Sequence, residues 1–288
     1  DVRGDTAPEI VLHVPGAIRL FGQDGALVHR IDFQKSGRRL GCLSDLDGDG
    51  KQDMVFGGVR AKSARLSAWN GQGTSLFDVR FGEMFRGNTY PQFARDGTIY
   101  FTAYSVLNVA PKIVGALDLA DGAPRWQYHM GPLPYAVHRA TGSDELTVSH
   151  RAMGHDRRDV TPKYDHPVDR HAEVVLSTQG KERRYRSFGA ATENGYRKEG
   201  QISGVDQRLV DVDQDGDSEL LMLIERASEL YEGRAELRIL ERGDGNGASG
   251  EAGEGRLLAR IHGPRETDGE LGFYRVDGEA RIAVVWKR

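Results

Sequence analysis

Asp45-Leu46-Asp47-Gly48-Asp49-Gly50-Lys51-Gln52-Asp53 is an acidic loop that leads directly into the apolar run Met54-Val55-Phe56-Gly57-Gly58. A second stretch, residues 211–219, has the same pattern, D-x-D-x-D-G-x-x-[DE], and also leads into an apolar run, residues 220–224. Alternate carboxylates in a tight loop can turn inward together, and Ca²⁺ takes six to eight oxygen ligands. The glycine at the sixth position permits the sharp turn, because it adopts positive φ without steric cost. The pattern therefore predicts two calcium-binding loops, each followed by a β-strand.

The spacing of the acids differs from that of an EF-hand, which has a bidentate Glu at the twelfth position and flanking helices. Position twelve is Phe56 in the first loop and Met222 in the second, and the closing acid comes at the ninth position instead. The alternative interpretation is a pair of acidic turns that bind no metal. The predicted ligands are the carboxylates of Asp45, Asp47, Asp49 and Asp53 with the Lys51 carbonyl for one ion, and the carboxylates of Asp211, Asp213, Asp215 and Glu219 with the Asp217 carbonyl for the other.

The composition limits the class of protein. A chain of 288 residues with 38% apolar residues and 37 glycines favours many short strands joined by tight turns. The net charge of −4 gives no general attraction to nucleic acid, and the single cysteine, Cys42, excludes an intrachain disulfide. No apolar run has membrane-spanning length. Because millimolar calcium outside cells would fill weak sites, we expect an exported protein that is extracellular, on the cell surface or periplasmic.

Apolar strands and hairpins recur along the chain. Strands are predicted over 9–14, 53–58, 97–102, 145–149, 219–224 and 281–286. Hairpins are predicted for 17–21 with 27–31, 66–69 with 75–79, 114–119 with 124–128, 174–176 with 183–188, and 237–240 with 257–261. Asn-Gly and Asp-Gly turns between such runs are a strong hairpin signal. Four-stranded sheets that recur every 40–50 residues are typical of propeller blades, so we predict an all-β propeller of six or seven blades.

The acidic loop followed by an apolar strand resembles the FG-GAP or VCBS repeat of integrin α-chain heads and exported bacterial propellers. Residues 1–9 align as a degenerate third copy, in which Arg3 replaces the second acid and Thr6 the glycine. Residues 116–126 resemble the A-x-D-x-x-T-G-x-x-x-W motif of quinoprotein propellers, with Asp121 in place of Thr. The resemblance implies one calcium-binding propeller domain over residues 1–288. Its ends supply incomplete blades, so either they share a blade or the chain is a piece of a longer protein.

A histidine-rich insertion at residues 150–171 is the segment most suggestive of chemistry. It contains His150, His155, His166 and His171, and basic residues follow it on the next predicted strand. Histidine is a common metal ligand and acid–base group, although a polar surface loop is the alternative interpretation. Some polysaccharide lyases on propeller scaffolds use His and Tyr as base and acid, with Arg neutralising a uronate. The candidate catalytic residues on that model are His150, His171, Tyr185 and Arg186.

The sequence favours a binding role over catalysis. Propellers present loops from several blades on one face, which suits a protein or glycan partner or a subunit role in a larger extracellular assembly. The alternatives are a lyase acting on acidic glycans through residues 150–200, and a purely structural repeat domain. Two Arg-Gly-Asp triplets, at residues 3–5 and 242–244, are too short to indicate adhesion in a chain rich in these residues. The second opens a Gly-rich stretch, residues 243–255, which we expect to be a flexible loop.

Overall fold

The computed structural model describes a chain made of β-strands and turns. The described residues are 2, 7–14, 16–32, 38–58, 64–81, 87–104, 112–130, 133–139, 142–151, 170–190, 202–210, 219–226, 235–240, 257–262, 268–276 and 279–287. Among these residues, no helix has the length and apolar character needed to cross a membrane.

Twenty-one strands follow one another along the described residues. They are β1 (Ile10–Val14), β2 (Ala17–Phe21), β3 (Leu27–Asp32), β4 (Arg38–Ser44), β5 (Asp53–Gly58), β6 (Ala64–Trp69), β7 (Ser75–Phe81), β8 (Asn88–Arg95), β9 (Thr98–Tyr104), β10 (Lys112–Asp118), β11 (Pro124–Met130), β12 (Leu133–His138), β13 (Glu145–Arg151), β14 (Arg170–Ser177), β15 (Glu182–Ala190), β16 (Ile202–Val210), β17 (Glu219–Arg226), β18 (Ala235–Leu240), β19 (Leu257–His262), β20 (Asp268–Val276) and β21 (Glu279–Lys287).

The strands form antiparallel sheets in which neighbours in sequence are neighbours in space. One compact unit contains the three-stranded sheet β1-β2-β3 and the four-stranded sheets β4-β5-β6-β7 and β8-β9-β10-β11. A second unit contains the four-stranded sheets β12-β13-β14-β15 and β16-β17-β18-β19 and the pair β20-β21. The predicted all-β class is confirmed, and four of the six described sheets have the four strands expected of a propeller blade.

In most repeats the sequence predicts three strands, and the structure contains a fourth strand that precedes them. These added strands are β4, β8, β12 and β16, and each forms an edge of its sheet. Pro91 in β8 and Pro134 in β12 obscured the strand signal, because proline is unfavourable within a sheet. An edge strand tolerates proline, since it has hydrogen-bonding groups that need no partner strand. In β4 the signal was weakened by Gly41, and in β16 by polar residues.

A β-bulge recurs at the same place in three of these edge strands. The strand pairing shifts between Leu40 and Cys42 in β4, between Pro91 and Phe93 in β8, and between Pro134 and Ala136 in β12. The bulged residue is in each case the third before the last residue of the strand. Bulges increase the local twist of a strand. Their repetition shows that the similarity between repeats extends to the backbone.

Glycine contacts join the two four-stranded sheets of the first unit. A Cβ on Gly57 would overlap the carbonyl oxygen of Thr89, and one on Gly41 would overlap Pro91. Only glycine therefore permits β8 to pack this closely against β4 and β5. The core next to this contact contains Val55, Leu66, Phe77, Ile99 and Phe101, all buried.

Candidate functional site

The first acidic loop, residues 45–53, is folded around the carboxylate of Asp45. Its Oδ1 accepts a hydrogen bond from the backbone N–H of Gly48 over 2.7 Å, and its Oδ2 accepts one from Gly50 over 3.0 Å. Gly48 and Gly50 have φ values of +80° and +83°, a region that other residues rarely adopt. The two glycines let the chain curl so that backbone N–H groups point at the acid.

The next two acids continue this turn. Asp47 Oδ1 accepts from the N–H of Asp49 over 3.2 Å, and Asp49 Oδ1 accepts from the N–H of Lys51 over 2.9 Å. The Lys51 ammonium lies 3.1 Å from Asp49 Oδ2. The hydrogen bond from the Lys51 backbone is the largest cause that holds the pKa of Asp49 below its ordinary value. Asp49 is therefore ionised at neutral pH and has a cation beside it.

Three of the predicted ligands converge. Asp45, Asp47 and Asp49 each offer a carboxylate oxygen, and these oxygens lie within 4.8 Å of one another. Hard carboxylate oxygens are the donors that Ca²⁺ prefers, and exposure of the loop leaves room for water to complete the shell. The donor set therefore fits calcium. Asp45, Asp47 and Asp49 would hold the ion.

Asp53 has a different place from the other three acids. It is the first residue of β5, its side chain is buried, and its Oδ2 accepts the backbone N–H of Leu46 over 2.9 Å. Burial is the main cause that raises the pKa of Asp53, and the charges of the three loop carboxylates raise it further. The predicted role of Asp53 as a metal ligand stays a prediction. The hydrogen bond shows that it also closes the loop.

The degenerate first copy of the loop has the same closing bond. Val2 donates its backbone N–H to Oε2 of Glu9 over 2.8 Å, joining the second and ninth residues of that copy. Val2 is buried at 2% exposure, as Leu46 is at 8%. Val2 and Glu9 therefore correspond in structure to Leu46 and Asp53.

The second complete acidic loop lies outside the described residues, from 211 to 218. Its flanking strands are described, and Val210 of β16 pairs with Glu219 of β17. In the first loop Ser44 pairs with Asp53 in the same way. Both loops thus connect the first and second strands of a four-stranded sheet through eight residues, and the ninth-position acid begins the second strand. The ligand assignments of Asp211, Asp213, Asp215, Asp217 and Glu219 stay predictions.

Two candidate catalytic residues meet in the sheet β12-β13-β14-β15. The rings of His150 on β13 and Tyr185 on β15 are stacked, with centroids 6.1 Å apart and planes inclined by 22°. The strand between them places only Ala172 and Val174 at the paired positions, so the rings can meet across it. His150 is 2% exposed. A side chain this buried cannot reach a polymeric substrate without a change in the surrounding structure.

The other two candidates are described only in their backbones. His171 pairs with Gly189, and Arg186 pairs with Glu173. The pairing of β14 with β15 shifts register between His171 and Ala172. His155 and His166 of the insertion, both Arg-Gly-Asp triplets and the Gly-rich stretch 243–255 lie outside the described residues.

The basic residues of β15 have acidic neighbours. Arg183 donates to Asp144 over 2.5 Å and lies 3.3 Å from Glu145. Arg184 lies 3.9 Å from Glu173, which is buried on the face opposite to Tyr185. Arg184 and Tyr185 therefore lie on opposite faces of the sheet. These ion pairs give the two arginines a structural role on the sheet.

The quinoprotein-like segment of β10 and β11 contains an internal ion pair. Arg125 donates from Nη2 to Asp118 Oδ2 over 2.7 Å and from Nη1 to the Thr98 hydroxyl over 2.5 Å. Trp126 lies with its ring centroid 6.3 Å from that of Tyr100. Gly122 has a φ of +73°, as the predicted turn requires. The motif stabilises this sheet through contacts among its own strands.

Sequence reasoning missed the arginine side chains around Asp78 in the first unit. Arg65 donates to the Asp78 carboxylate in a bidentate manner, and Arg38 lies 3.9 Å from it. These residues are separated by up to 40 positions (38 to 78) and follow no local motif, so only the pairing of their strands brings them together.

Comparison with solved structures shows the β-propeller fold. The chain is similar to BBS1N, solved in complex with ARL6DN, with a TM-score of 0.54, 11% identity, and coverage of 97% of this chain and 72% of that one. It is also similar to KlAtg21, solved in complex with the coiled-coil of AgAtg16 (TM-score 0.54, 9% identity, 98% and 75% covered). A third similar structure is the quinohemoprotein alcohol dehydrogenase of Comamonas testosteroni (TM-score 0.53, 11% identity), of which the chain spans only 41%.

No protein-family model matches the sequence, and no curated protein matches it. At these identities the similarity shows the fold alone. The number of blades and the assignment of residues 1–288 to one propeller domain stay predictions.

Proposed function

We propose that this protein is an exported β-propeller of the FG-GAP/VCBS type that binds Ca²⁺ and acts as a binding module for a protein or glycan partner. The observation that carries the calcium proposal is the convergence of Asp45, Asp47 and Asp49 within 4.8 Å. The proposal extends to the loop at 211–219, which has the same acidic pattern and the same flanking strand pair.

Calcium would supply positive charge where the loop holds like charges close together. The ion would neutralise the repulsion among the three carboxylates and fix the turn between β4 and β5. The Lys51 ammonium beside Asp49 partly fulfils this role and would be displaced or shifted by the ion. Metal binding of this kind stabilises the fold, so the role we propose for the ion is structural.

The binding role is supported by the fold. Two of the similar structures carry names that describe complexes with protein partners. The propeller fold does not by itself decide whether a protein is an enzyme, because the same fold also occurs in the dehydrogenase described above. We therefore propose that this chain binds a partner as a subunit of an extracellular or cell-surface assembly. The buried position of its candidate catalytic histidine agrees with this role.

Calorimetric titration of chelator-treated protein with Ca²⁺ tests the metal assignment. We expect two bound ions per chain, and one ion in Asp47→Ala. The matched control is Asp24→Ala, because Asp24 also accepts a local backbone hydrogen bond but has no acidic cluster around it. No binding of Ca²⁺, or equal stoichiometry in Asp47→Ala and the parent, would refute the assignment.

A lyase that acts on acidic glycans is the second candidate, favoured by the stacked pair of His150 and Tyr185. Incubation with a panel of acidic polysaccharides, followed by ultraviolet absorbance of unsaturated ends, tests it. New absorbance that is lost in His150→Ala and Tyr185→Phe would establish the lyase. Intact polymers across the panel would leave the binding role, or a purely structural repeat domain if no partner binds.

A further inference from the structure

Lys51 is the only basic residue in the first acidic loop, residues 45–53. Its ammonium lies 3.1 Å from Oδ2 of Asp49, and both side chains are partly exposed. Its backbone N–H donates to the other oxygen of the same carboxylate, Oδ1, over 2.9 Å. Lys51 therefore holds Asp49 in two ways, once through its backbone and once through its side chain.

The carboxylate that the ammonium contacts is one of the three that converge. Asp45, Asp47 and Asp49 each offer an oxygen, and these oxygens lie within 4.8 Å of one another. In Asp49 one oxygen is bonded to the backbone of Lys51 and the other faces the ammonium. Asp49 can therefore turn an oxygen toward a Ca²⁺ ion only if one of these two bonds is shared or broken.

The positive charge of Lys51 lies among carboxylates that repel one another. The charges of the three converging acids raise the pKa of Asp53, which shows that the negative charges of the loop interact. A cation beside Asp49 reduces this repulsion, since opposite charges at a few ångströms attract even in water. Lys51 thus gives the loop, without metal, part of the charge compensation that calcium would give it.

The sequence of the second acidic loop differs at this position. The seventh residue of that loop is Asp217, where the first loop has Lys51. Residues 45–53 therefore contain four acids and one lysine, and residues 211–219 contain five acids. The number of charged groups is one of the features that set the affinity of an acidic loop for Ca²⁺. The two loops thus differ in charge at the one position that in the first loop supplies a cation.

We propose that Lys51 is an internal competitor of Ca²⁺, whose ammonium holds Asp49 in the empty loop and lowers the affinity of the first acidic loop for the ion. The proposal rests on the calcium binding proposed above and names the residue that tunes that site. Calcium has to displace the ammonium from Asp49, so its binding works against a contact that the empty loop already has. On the same argument the second loop, which has an acid at this position, fills at a lower calcium concentration.

The side chain of Lys51 can be replaced without removing a predicted ligand. The predicted ligand atom of this residue is its backbone carbonyl, and the N–H that donates to Asp49 also belongs to the backbone. Substitution of the side chain keeps both groups and changes the charge. If Lys51 only supported the folded loop, its replacement would weaken calcium binding. Competition predicts the opposite sign, because the carboxylates are then released for the ion.

Calorimetric titration of chelator-treated Lys51→Gln and Lys51→Asp with Ca²⁺ tests the proposal. The binding step of the first loop is the one that Asp47→Ala loses, and we expect it to be the weaker of two. At low ionic strength Lys51→Gln should tighten this step by about fivefold, and Lys51→Asp should tighten it further. The gain should shrink as ionic strength rises. The matched control is Lys181→Gln, a lysine in the turn between β14 and β15 whose backbone N–H also donates to a side chain.

Thermal unfolding of the same variants gives a second readout. Lys51→Gln should melt below the parent in chelator, because the carboxylates lose their internal cation, and this difference should shrink or reverse in calcium. Unchanged or weaker calcium binding by Lys51→Gln, or loss of the tighter step in Asp47→Ala, would overturn the role of Lys51 and leave the metal assignment intact. Absence of calcium binding in the parent protein would refute the metal assignment and this proposal together.

Discussion

The backbone N–H of Leu46 donates a 2.9 Å hydrogen bond to Oδ2 of Asp53, which ties the second residue of the acidic loop to the ninth. The same bond joins Val2 to Glu9 in a copy of the loop that has lost part of the acidic pattern. The carboxylate at the ninth position accepts this hydrogen bond even in the copy that lacks the full set of acids. Its role in closing the loop is therefore structural. The ninth acid and the three acids before it are therefore expected to respond differently to substitution.

Asp47→Ala is expected to destabilise the protein only when calcium is present. If free calcium exceeds the dissociation constant about 100-fold, loss of the site lowers the free energy of unfolding by about 2.7 kcal/mol. Thermal unfolding in calcium and in chelator measures this, with Asp24→Ala as the control. Equal melting of Asp47→Ala and the parent in calcium would contradict the ligand assignment.

Asp53→Ala is expected to destabilise the protein in chelator as well. The variant leaves the buried N–H of Leu46 without its acceptor, which costs about 1–3 kcal/mol. Glu9→Ala should have the same effect through Val2, with no dependence on calcium. Urea unfolding in chelator provides the measurement. A loss for Asp53→Ala that occurs in calcium alone would show that its main role is as a metal ligand.

Gly57→Ala is expected to separate the sheets β4–β7 and β8–β11. The added methyl would overlap the Thr89 carbonyl, and backbone cannot move aside as a flexible side chain can. Overpacking usually costs about 1–3 kcal/mol, and we expect Gly57→Ala to lower the free energy of unfolding by the upper end of that range or more. Gly16→Ala is the comparison, because its φ of +81° is strained but its surroundings are open. It should cost about 1 kcal/mol. A smaller loss for Gly57→Ala than for Gly16→Ala would exclude the close contact.

Asp78 is expected to make stability depend on acid pH. Its hydrogen bonds from Arg65 hold its pKa below the ordinary value of 3.8. The stabilisation is therefore present above that value and is lost as the pH falls through the lower folded-state pKa, when the carboxylate is protonated. Asp78→Asn should remove this dependence and lower stability at neutral pH by about 1 kcal/mol, since the pair is partly exposed.

Chemical denaturation between pH 2 and 7 measures the effect of Asp78→Asn. Asp32→Asn is the control, because its ion pair with Arg30 is more exposed. Parallel pH profiles for the parent and Asp78→Asn would contradict the assignment.

The local sequence determined those elements that depend only on residues close together in the chain. The predicted strand over 53–58 has the same bounds as β5, because an apolar run after a Gly-containing turn has few other stable conformations. The glycine turns at residues 25, 73, 122 and 180 have the positive φ that the hairpins need. The convergence of Asp45, Asp47 and Asp49 follows from alternate spacing in one tight loop.

The tertiary structure decided the features that depend on contacts between strands. The edge strands β8 and β12 carry prolines that local propensity excludes, and sheet context accepts them. The burial of His150 and its stacking on Tyr185 required three strands to be placed side by side. Asp78 gathers Arg38, Arg65 and Arg80 from separate strands, and a tight Gly57–Thr89 contact joins the sheet β4–β7 to the sheet β8–β11. These contacts are made by residues that are distant in sequence, so no local pattern could have predicted them.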